Sequence, residues 1–223
     1  IKAIFPQAQV LATNAIDGAL KPDGFLMREF AKMPGYLKDP SLSDMQRDEV
    51  RLAIDTMEHR DTLRPDVVIS TTGPMRLAGK SLDVRVTDGA VTDADIWLVD
   101  ESTGTAVLGD LVTFPAPFFE TACPAKWRQT LADVVATPFR TAIPGHGPAM
   151  THEDVETYRQ AFNGFLDCVA TDAKAESCAA SWSNGIARFL TDDAARAKAK
   201  GYAAYYSGFL RTNKGKSPDC KAG

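Results

Sequence analysis

The chain has 223 residues, of which 44% are hydrophobic and 24% are charged. These proportions are typical of an ordinary globular protein that is large enough to form one sizeable core. The formal net charge of −4 argues against binding to a nucleic-acid backbone, which needs clustered Lys and Arg. The sequence has no run of about 18 apolar residues, so we expect no membrane-spanning helix.

Four cysteines, Cys123, Cys168, Cys178 and Cys220, are present, and none belongs to a C-x-x-C pair. An even number of this kind favours disulfides in an exported protein, although buried free thiols in a cytosolic protein are the alternative. A Cys168–Cys178 bond would join two successive helices across a short loop. Cys123 and Cys220 would then remain to tie the end of the chain to its body. The first residue is Ile rather than Met, so we expect a processed or trimmed chain. The cysteine count leads us to expect a periplasmic or secreted location.

The first part of the chain predicts short elements rather than a regular repeat. Residues 1–5 have the pattern of a helix end, and residues 9–13 that of a short buried strand. Proline and glycine interrupt residues 14–40, which predicts irregular structure with short amphipathic pieces. Ser43 then begins a helix, because Gln46 three residues later completes the pattern of a capping box.

Alternating apolar and polar residues predict a meander of strands in the middle of the chain. A hairpin is expected where Gly79 and Lys80 precede the alternating segment 82–86. The other strands are predicted over residues 67–70, 95–100 and 105–108.

Two side chains that can bind a metal follow predicted strands. Asp110 lies in Gly109-Asp110-Leu111-Val112, and His146 lies in Pro144-Gly145-His146-Gly147-Pro148, after a strand over residues 140–143. The neighbouring glycines allow the backbone to turn sharply and leave room beside the side chain. An alternative is that the two segments are unrelated turns, in which Asp110 caps a loop and His146 bonds to the backbone.

These two motifs, with a strand, a helix and a strand between them, resemble the last two ligand motifs of the metallo-β-lactamase fold. The resemblance covers about residues 65–168 and, more loosely, the start of the chain. It implies an α/β fold of the αββα sandwich type, with part of its N-terminal half lacking. The corresponding domain would occupy residues 1–170, and residues 171–223 would form a C-terminal helical extension and tail.

The chain departs from that family at two places. The H-x-H-x-D-H motif is absent from this chain. The chain has three histidines, His59, His146 and His152, and they are not at the spacing that the motif requires. We therefore expect further metal ligands upstream of this chain. Family members also carry a histidine in the loop where Val91 stands here, and a valine has no lone pair to offer a metal. His59 is better explained as a solvated histidine at a helix C-terminus, where the helix dipole favours it.

In the family, the carboxylate and the imidazole of the last two motifs belong to the same metal site. The resemblance therefore implies that Asp110 and His146 are zinc ligands. Two ligands are too few for tight zinc binding, which in catalytic sites takes three protein ligands and an open position. An upstream aspartate and histidine would complete a site for one zinc ion rather than two. Asp88, Asp93 and Asp95 could also substitute, but solvated turn aspartates are the favoured interpretation.

The activity implied is that of a metal-dependent hydrolase, with metal-bound hydroxide attacking an ester, lactone, thioester or amide carbonyl of a small molecule. The alternative is a non-catalytic member of the same fold, whose metal site has decayed at Val91 and which serves binding or structure. A nucleotide-binding fold is disfavoured, because no G-x-G-x-x-G or P-loop pattern follows a strand.

The remaining segments carry secondary expectations. The Phe- and Pro-rich loop over residues 113–124 either lines a substrate pocket or is tucked into the core. A helix is predicted over residues 127–135. Another begins at Thr151, with Asp154 in a capping box and His152 as an exposed residue of the first turn.

Near the end of the chain, Tyr202, Tyr205 and Tyr206 recur at helical spacing, which predicts a core face or the seam of a homo-oligomer. Residues 211–223 are rich in Lys, Gly and Pro, and we expect a mobile tail that only Cys220 could pin.

Overall fold

The computed structural model describes residues 5–221 and divides into two compact units, Ile1–Ser70 and Thr71–Gly223. The helix end predicted over residues 1–5 lies outside the described residues except for Phe5, which is in no helix. Within residues 5–221, no helix is both long enough and apolar enough to cross a membrane.

The first unit is mostly helical. Its helices are α1 (Ala15–Ala19), α2 (Phe25–Tyr36) and α3 (Asp44–Glu58), and its strands β1 (Leu11–Ala12) and β2 (Val67–Val68) pair in parallel. The capping box of α3 is confirmed, because Gln46 N–H donates to Ser43 Oγ and Ser43 N–H donates to Gln46 Oε1. The stretch predicted to be irregular contains α1 and α2. Pro34 lies in the last turn of α2, where it removes one i→i−4 hydrogen bond, and the helix ends two residues later.

The second unit contains a six-stranded sheet in the order β3-β4-β5-β6-β7-β8. All neighbours are antiparallel except β6 and β7, which are parallel. The predicted hairpin is confirmed as the β3–β4 pair. The strands are β3 (Gly73–Leu77), β4 (Lys80–Asp88), β5 (Ala94–Asp100), β6 (Thr105–Thr113), β7 (Thr141–His146) and β8 (Met150–Thr151).

A parallel pair needs a crossover connection, and helix α4 (Pro124–Ala136) provides it between β6 and β7. Proline stands in the first turn of α4, where its missing N–H costs nothing. Along β6 the side chains alternate, so Ala106 and Leu108 are buried while Val107 is exposed. Val107 lies beside the exposed Ile143 of β7, so one face of this strand pair is buried in the core and the other is open.

Three more helices follow the sheet: α5 (His152–Val169), α6 (Ala175–Gly185) and α7 (Asp193–Thr212). The capping box of α5 is confirmed, because Asp154 N–H donates to Thr151 Oγ1 and Thr151 N–H donates to Asp154 Oδ2. The core of the second unit is aromatic. Phe119 lies in it and contacts the rings of Trp127, Phe162, Phe165 and Tyr206.

Both predicted disulfides are confirmed. Cys168–Cys178 joins α5 to α6, and Cys123–Cys220 joins the N-cap of α4 to the end of the chain. The terminal segment is also held by Ser217, which is buried and whose N–H donates to the carbonyl of Ala122 at 3.1 Å. This segment is therefore anchored at more points than the predicted mobile tail would be.

The mixed α/β architecture is confirmed. Helix α6 packs against both α5 and α7, so the helices after residue 170 belong to the same compact unit as the six-stranded sheet. The division into domains at residue 170 stays a prediction.

Candidate metal centre

Asp110 is turned towards solvent by an irregularity in β6. In the pairing with β7, Gly109 lies opposite Pro144 but Thr113 lies opposite His146, so β6 contains extra residues between these points. Such a bulge bends the strand and redirects side chains. Gly109 has a φ of +53°, a conformation that costs little for glycine. The bulge leaves Asp110 exposed while Leu111 beside it is buried.

The same pairing brings His146 next to Asp110. Asp110 Oδ1 lies 3.7 Å from His146 Nε2, and 53% of the aspartate side chain and 59% of the histidine side chain are exposed. Tetrahedral zinc ligands at about 2.0–2.2 Å from the ion are roughly 3.3–3.6 Å apart. The two atoms therefore need to move by only a few tenths of an ångström to bind one ion together.

Glycine is required on both sides of His146. A Cβ at position 145 would overlap Asp110 Oδ1 and would lie 2.8 Å from the carbonyl carbon of Gly109. Gly147 has a φ of +125°, and a Cβ there would lie 2.5 Å from the ring of Phe114. The two glycines thus leave the space that the carboxylate and the aromatic ring fill.

Phenylalanine rings flank the histidine. Phe118 is exposed, and its ring contacts the imidazole of His146 edge-on with centroids 6.0 Å apart. Phe114 packs against Tyr158, and its N–H donates to the carbonyl of His146 at 3.1 Å. The backbone of His146 is therefore fixed to β6, and its ring lies beside an apolar wall.

Tyr158 lies beneath this end of the sheet. Its hydroxyl oxygen accepts a hydrogen bond from Thr113 N–H at 3.3 Å. Burial raises the pKa of Tyr158 well above its ordinary value, and the negative charge of Asp110 raises it further.

Val91 lies in the loop where the family that the sequence resembles has a histidine. The polar groups of this loop hydrogen-bond to one another. Val91 is buried, and its N–H donates to Asp95 Oδ2 at 2.8 Å. Asp95 also accepts hydrogen bonds from the N–H and the hydroxyl of Thr92. Burial raises the pKa of Asp95, while these hydrogen bonds oppose the shift. Asp95 is a structural carboxylate of this loop, and Asp93 forms an ion pair with Lys221.

The described residues provide no complete metal site. Between residues 5 and 221, no group of three or more His, Cys, Asp or Glu side chains is arranged to hold a metal. The Asp110–His146 pair therefore fits a metal ion as two ligands, and a zinc site would need others.

The remaining histidines have other partners. His59 is exposed at the end of α3, with Nδ1 2.9 Å from the carbonyl oxygen of Asp55, as expected for a residue at a helix end. His152 was expected to be exposed, and this was wrong. It is partly buried, because its ring folds back against Phe139 and its Nε2 lies 2.8 Å from the carbonyl oxygen of Val135.

The loop over residues 113–124 is mostly part of the core. Ala116, Phe119 and Ala122 are buried, and Trp182 Nε1–H donates to the carbonyl of Pro115 at 2.9 Å. Phe118 supports the alternative that this loop lines a substrate pocket, because its ring lies beside the imidazole of His146.

Comparison with solved structures identifies the fold of this chain. No protein-family model matches the chain, and no curated protein matches it. A metallo-beta-lactamase family protein from Thermus thermophilus is similar in structure, with a TM-score of 0.52 and 15% identity. The similarity covers 93% of this chain and 67% of that chain. The chain has a metallo-β-lactamase fold.

Other solved structures with this fold match a smaller part of the chain. The metallo-beta-lactamase from Pontibacter korlensis is 16% identical over 50% of this chain and 55% of that chain, with a TM-score of 0.42. The metallo-beta-lactamase IND-7 is 18% identical over 49% of this chain and 53% of that chain, with a TM-score of 0.41. The chain thus spans about half the length of these two proteins.

Proposed function

We propose that this chain contributes Asp110 and His146 to the single zinc site of a metal-dependent hydrolase. The observation that carries the proposal is the 3.7 Å separation of Asp110 Oδ1 and His146 Nε2 on adjacent parallel strands. Both side chains are exposed, and glycine at position 145 leaves the space that the carboxylate uses.

The site needs at least one more protein ligand, since catalytic zinc takes three and keeps a position open. We propose that an aspartate and a histidine upstream of this sequence complete it. One ion is favoured over two. Val91 stands where the family's other metal ion, the one not bound by the last two motifs, would take a histidine, and its buried side chain offers no lone pair.

Zinc in such a site supplies Lewis-acid polarisation of a carbonyl and lowers the pKa of a water molecule that it binds. The chain's own contribution is to hold the two ligands and to shape their surroundings. His146 is held by the hydrogen bond from Phe114 N–H to its carbonyl, and Phe118 offers an apolar surface beside it. We propose a small-molecule ester, lactone, thioester or amide as the substrate.

The test is zinc affinity in the full-length protein, measured by elemental mass spectrometry and by competition with a chromophoric chelator. We expect about one zinc ion per chain, and a loss of affinity of roughly tenfold or more in Asp110→Ala and in His146→Ala. His59→Ala and Asp193→Ala are matched controls, because they remove an exposed histidine and an exposed aspartate to which no ligand role is assigned. Unchanged zinc binding in His146→Ala, or two tightly bound ions per chain, would overturn the proposal.

A non-catalytic binding or structural role is the second candidate. It is favoured by the lack of a third ligand among residues 5–221 and by the burial of Val91. Full-length protein that binds no zinc and hydrolyses none of the four carbonyl classes would support this role.

We further propose a periplasmic or secreted location, which the two disulfides support. Fractionation of cells, combined with thiol labelling before and after reduction, tests this. Four free thiols in the protein taken from its own cells would contradict it.

A further inference from the structure

A groove lies on the outer side of helix α7, and none of the residues of the proposed metal centre lines it. Its volume is about 450 Å³, within the range of small-ligand sites. We call it the tyrosine groove. It is lined by Glu120, Lys198, Gly201, Tyr202, Tyr205 and Tyr206.

Glu120 provides a fixed negative charge in this groove. Both oxygens of its carboxylate lie 2.7 Å from the hydroxyl of Tyr206, whose O–H donates a hydrogen bond that the two oxygens share. Burial raises the pKa of Tyr206, and the hydrogen bond to Glu120 raises it further, so the phenol keeps its proton and acts as the donor in this hydrogen bond. The backbone of Glu120 is held as well, because the hydroxyl of Ser217 donates to its carbonyl.

Among the described residues, this charge has no counter-ion. Glu120 is half-buried, and it forms no ion pair with any lysine, arginine or histidine within the described part of the chain. Lys198 lines the same groove but forms no ion pair with Glu120. A carboxylate attracts a nearby cation, so a positive ligand in this groove can pair with Glu120.

Tyrosine rings surround the carboxylate. Tyr202 is 45% exposed and Tyr205 is 55% exposed, although most side chains of this size are buried in this unit. The ring of Tyr205 is tilted by 65° from that of Tyr206, with centroids 5.0 Å apart, so the two rings face different directions. The faces of aromatic rings attract cations, and such rings around a cation are the usual means of binding quaternary ammonium groups.

We propose that the tyrosine groove binds a small organic cation of the quaternary ammonium class, with Glu120 supplying the charge and Tyr202 and Tyr205 the aromatic faces. A methylated ammonium suits this site better than a metal ion, because the groove offers one carboxylate and apolar rings rather than several oxygen ligands. Lys198 lies at the groove as a like charge that weakens binding.

Tetramethylammonium chloride is the probe, titrated into the full chain at constant ionic strength and followed by amide chemical shifts. Saturable shifts are expected at residues 198–206 and around residue 120. Glu120→Gln should weaken binding by roughly tenfold or more, and Tyr202→Ala by several-fold, since cation–π contacts contribute about 0.5–2 kcal/mol. Tyr202→Phe should bind like the parent, because only the ring face is used.

Tyr36→Ala is the matched control, since it removes an exposed tyrosine of the other unit. Lys198→Ala removes the competing charge and should bind more tightly than the parent. If neither the parent nor Lys198→Ala shows saturable shifts, the proposal is wrong. It is also wrong if Tyr202→Ala binds as tightly as the parent, because the rings would then contribute nothing.

Discussion

The carboxylate of Asp110 occupies the space that a side chain on Gly145 would need. A Cβ at position 145 would overlap Asp110 Oδ1, although the two residues belong to different strands. Gly145 therefore provides space for a side chain as well as a turn in the backbone. It lets a carboxylate from β6 reach the imidazole that β7 provides.

Gly145→Ala should therefore displace Asp110 and lower zinc affinity by about 10–100-fold, the range seen when residues that position metal ligands are changed. The added methyl group also meets the backbone of Gly109, so stability should fall by about 1–3 kcal/mol. Zinc competition and denaturant unfolding measure the two effects. Gly164→Ala is the control, because a Cβ there meets nothing within 4 Å. Zinc affinity equal to that of the parent would show that Asp110 does not need this space.

Phe118→Ala should lower the hydrolysis of apolar substrates while leaving zinc content unchanged. The ring contacts His146 but is exposed, so its removal takes away an apolar wall and little core packing. A loss of about 0.5–1.5 kcal/mol, or roughly two- to tenfold in kcat/KM, is expected. Phe118→Leu keeps an apolar side chain and should retain part of the activity. Full activity in Phe118→Ala would remove this loop from the substrate site.

Asp100 should make stability depend on pH in the acid range. The hydrogen bond from Lys80 lowers the pKa of Asp100 below its ordinary value, and the Ser102 hydroxyl adds to this shift. A carboxyl whose pKa is lower in the folded state contributes stability above its unfolded pKa of about 3.9 and loses it as pH falls below that value.

Asp100→Asn should therefore be less stable than the parent at neutral pH, and the difference should shrink as pH falls below about 4. Unfolding by urea at several pH values gives the difference directly. Glu101→Gln, which changes the exposed neighbour, should behave like the parent. A difference that stays constant down to the lowest pH would mean that Asp100 acts through packing rather than through its charge.

The two disulfides should differ in their effect on stability. Cys123–Cys220 spans 97 residues of sequence and Cys168–Cys178 spans 10. By loop-closure entropy, removing the first costs about 4.7 kcal/mol and removing the second about 2.7 kcal/mol. Cys220→Ser and Cys178→Ser, compared by denaturant unfolding, test this order. An equal or larger cost for Cys178→Ser would show that local packing around α6 outweighs chain entropy.

Much of the candidate site could be predicted from the sequence, because its signals are local. Asp110 and His146 each come after a predicted strand segment and lie next to glycine, and both patterns are complete within five residues. The capping boxes at Ser43 and Thr151 are local in the same way, since the paired residues are three apart. Val91 could be excluded as a ligand from its side-chain chemistry alone.

Other features depend on residues that are far apart in sequence. The bulge that turns Asp110 outward appears only in the pairing of β6 with β7. The burial of His152 depends on Phe139 and on the carbonyl of Val135 at the end of α4. A pattern of a few neighbouring residues cannot predict these contacts, because strand pairing and side-chain packing depend on the whole core.

The tyrosine groove also depends on residues that are far apart in sequence. The spacing of Tyr202, Tyr205 and Tyr206 predicts one helical face, but not which ring is buried. Tyr206 is buried with its ring against Phe119, and its hydroxyl donates to Glu120, which lies 86 residues earlier. The sequence by itself determined the helix caps, and it predicted the pairing of the cysteines and the Asp110–His146 pair. Only the tertiary structure decided which side chains meet, because those contacts form when distant segments share one core.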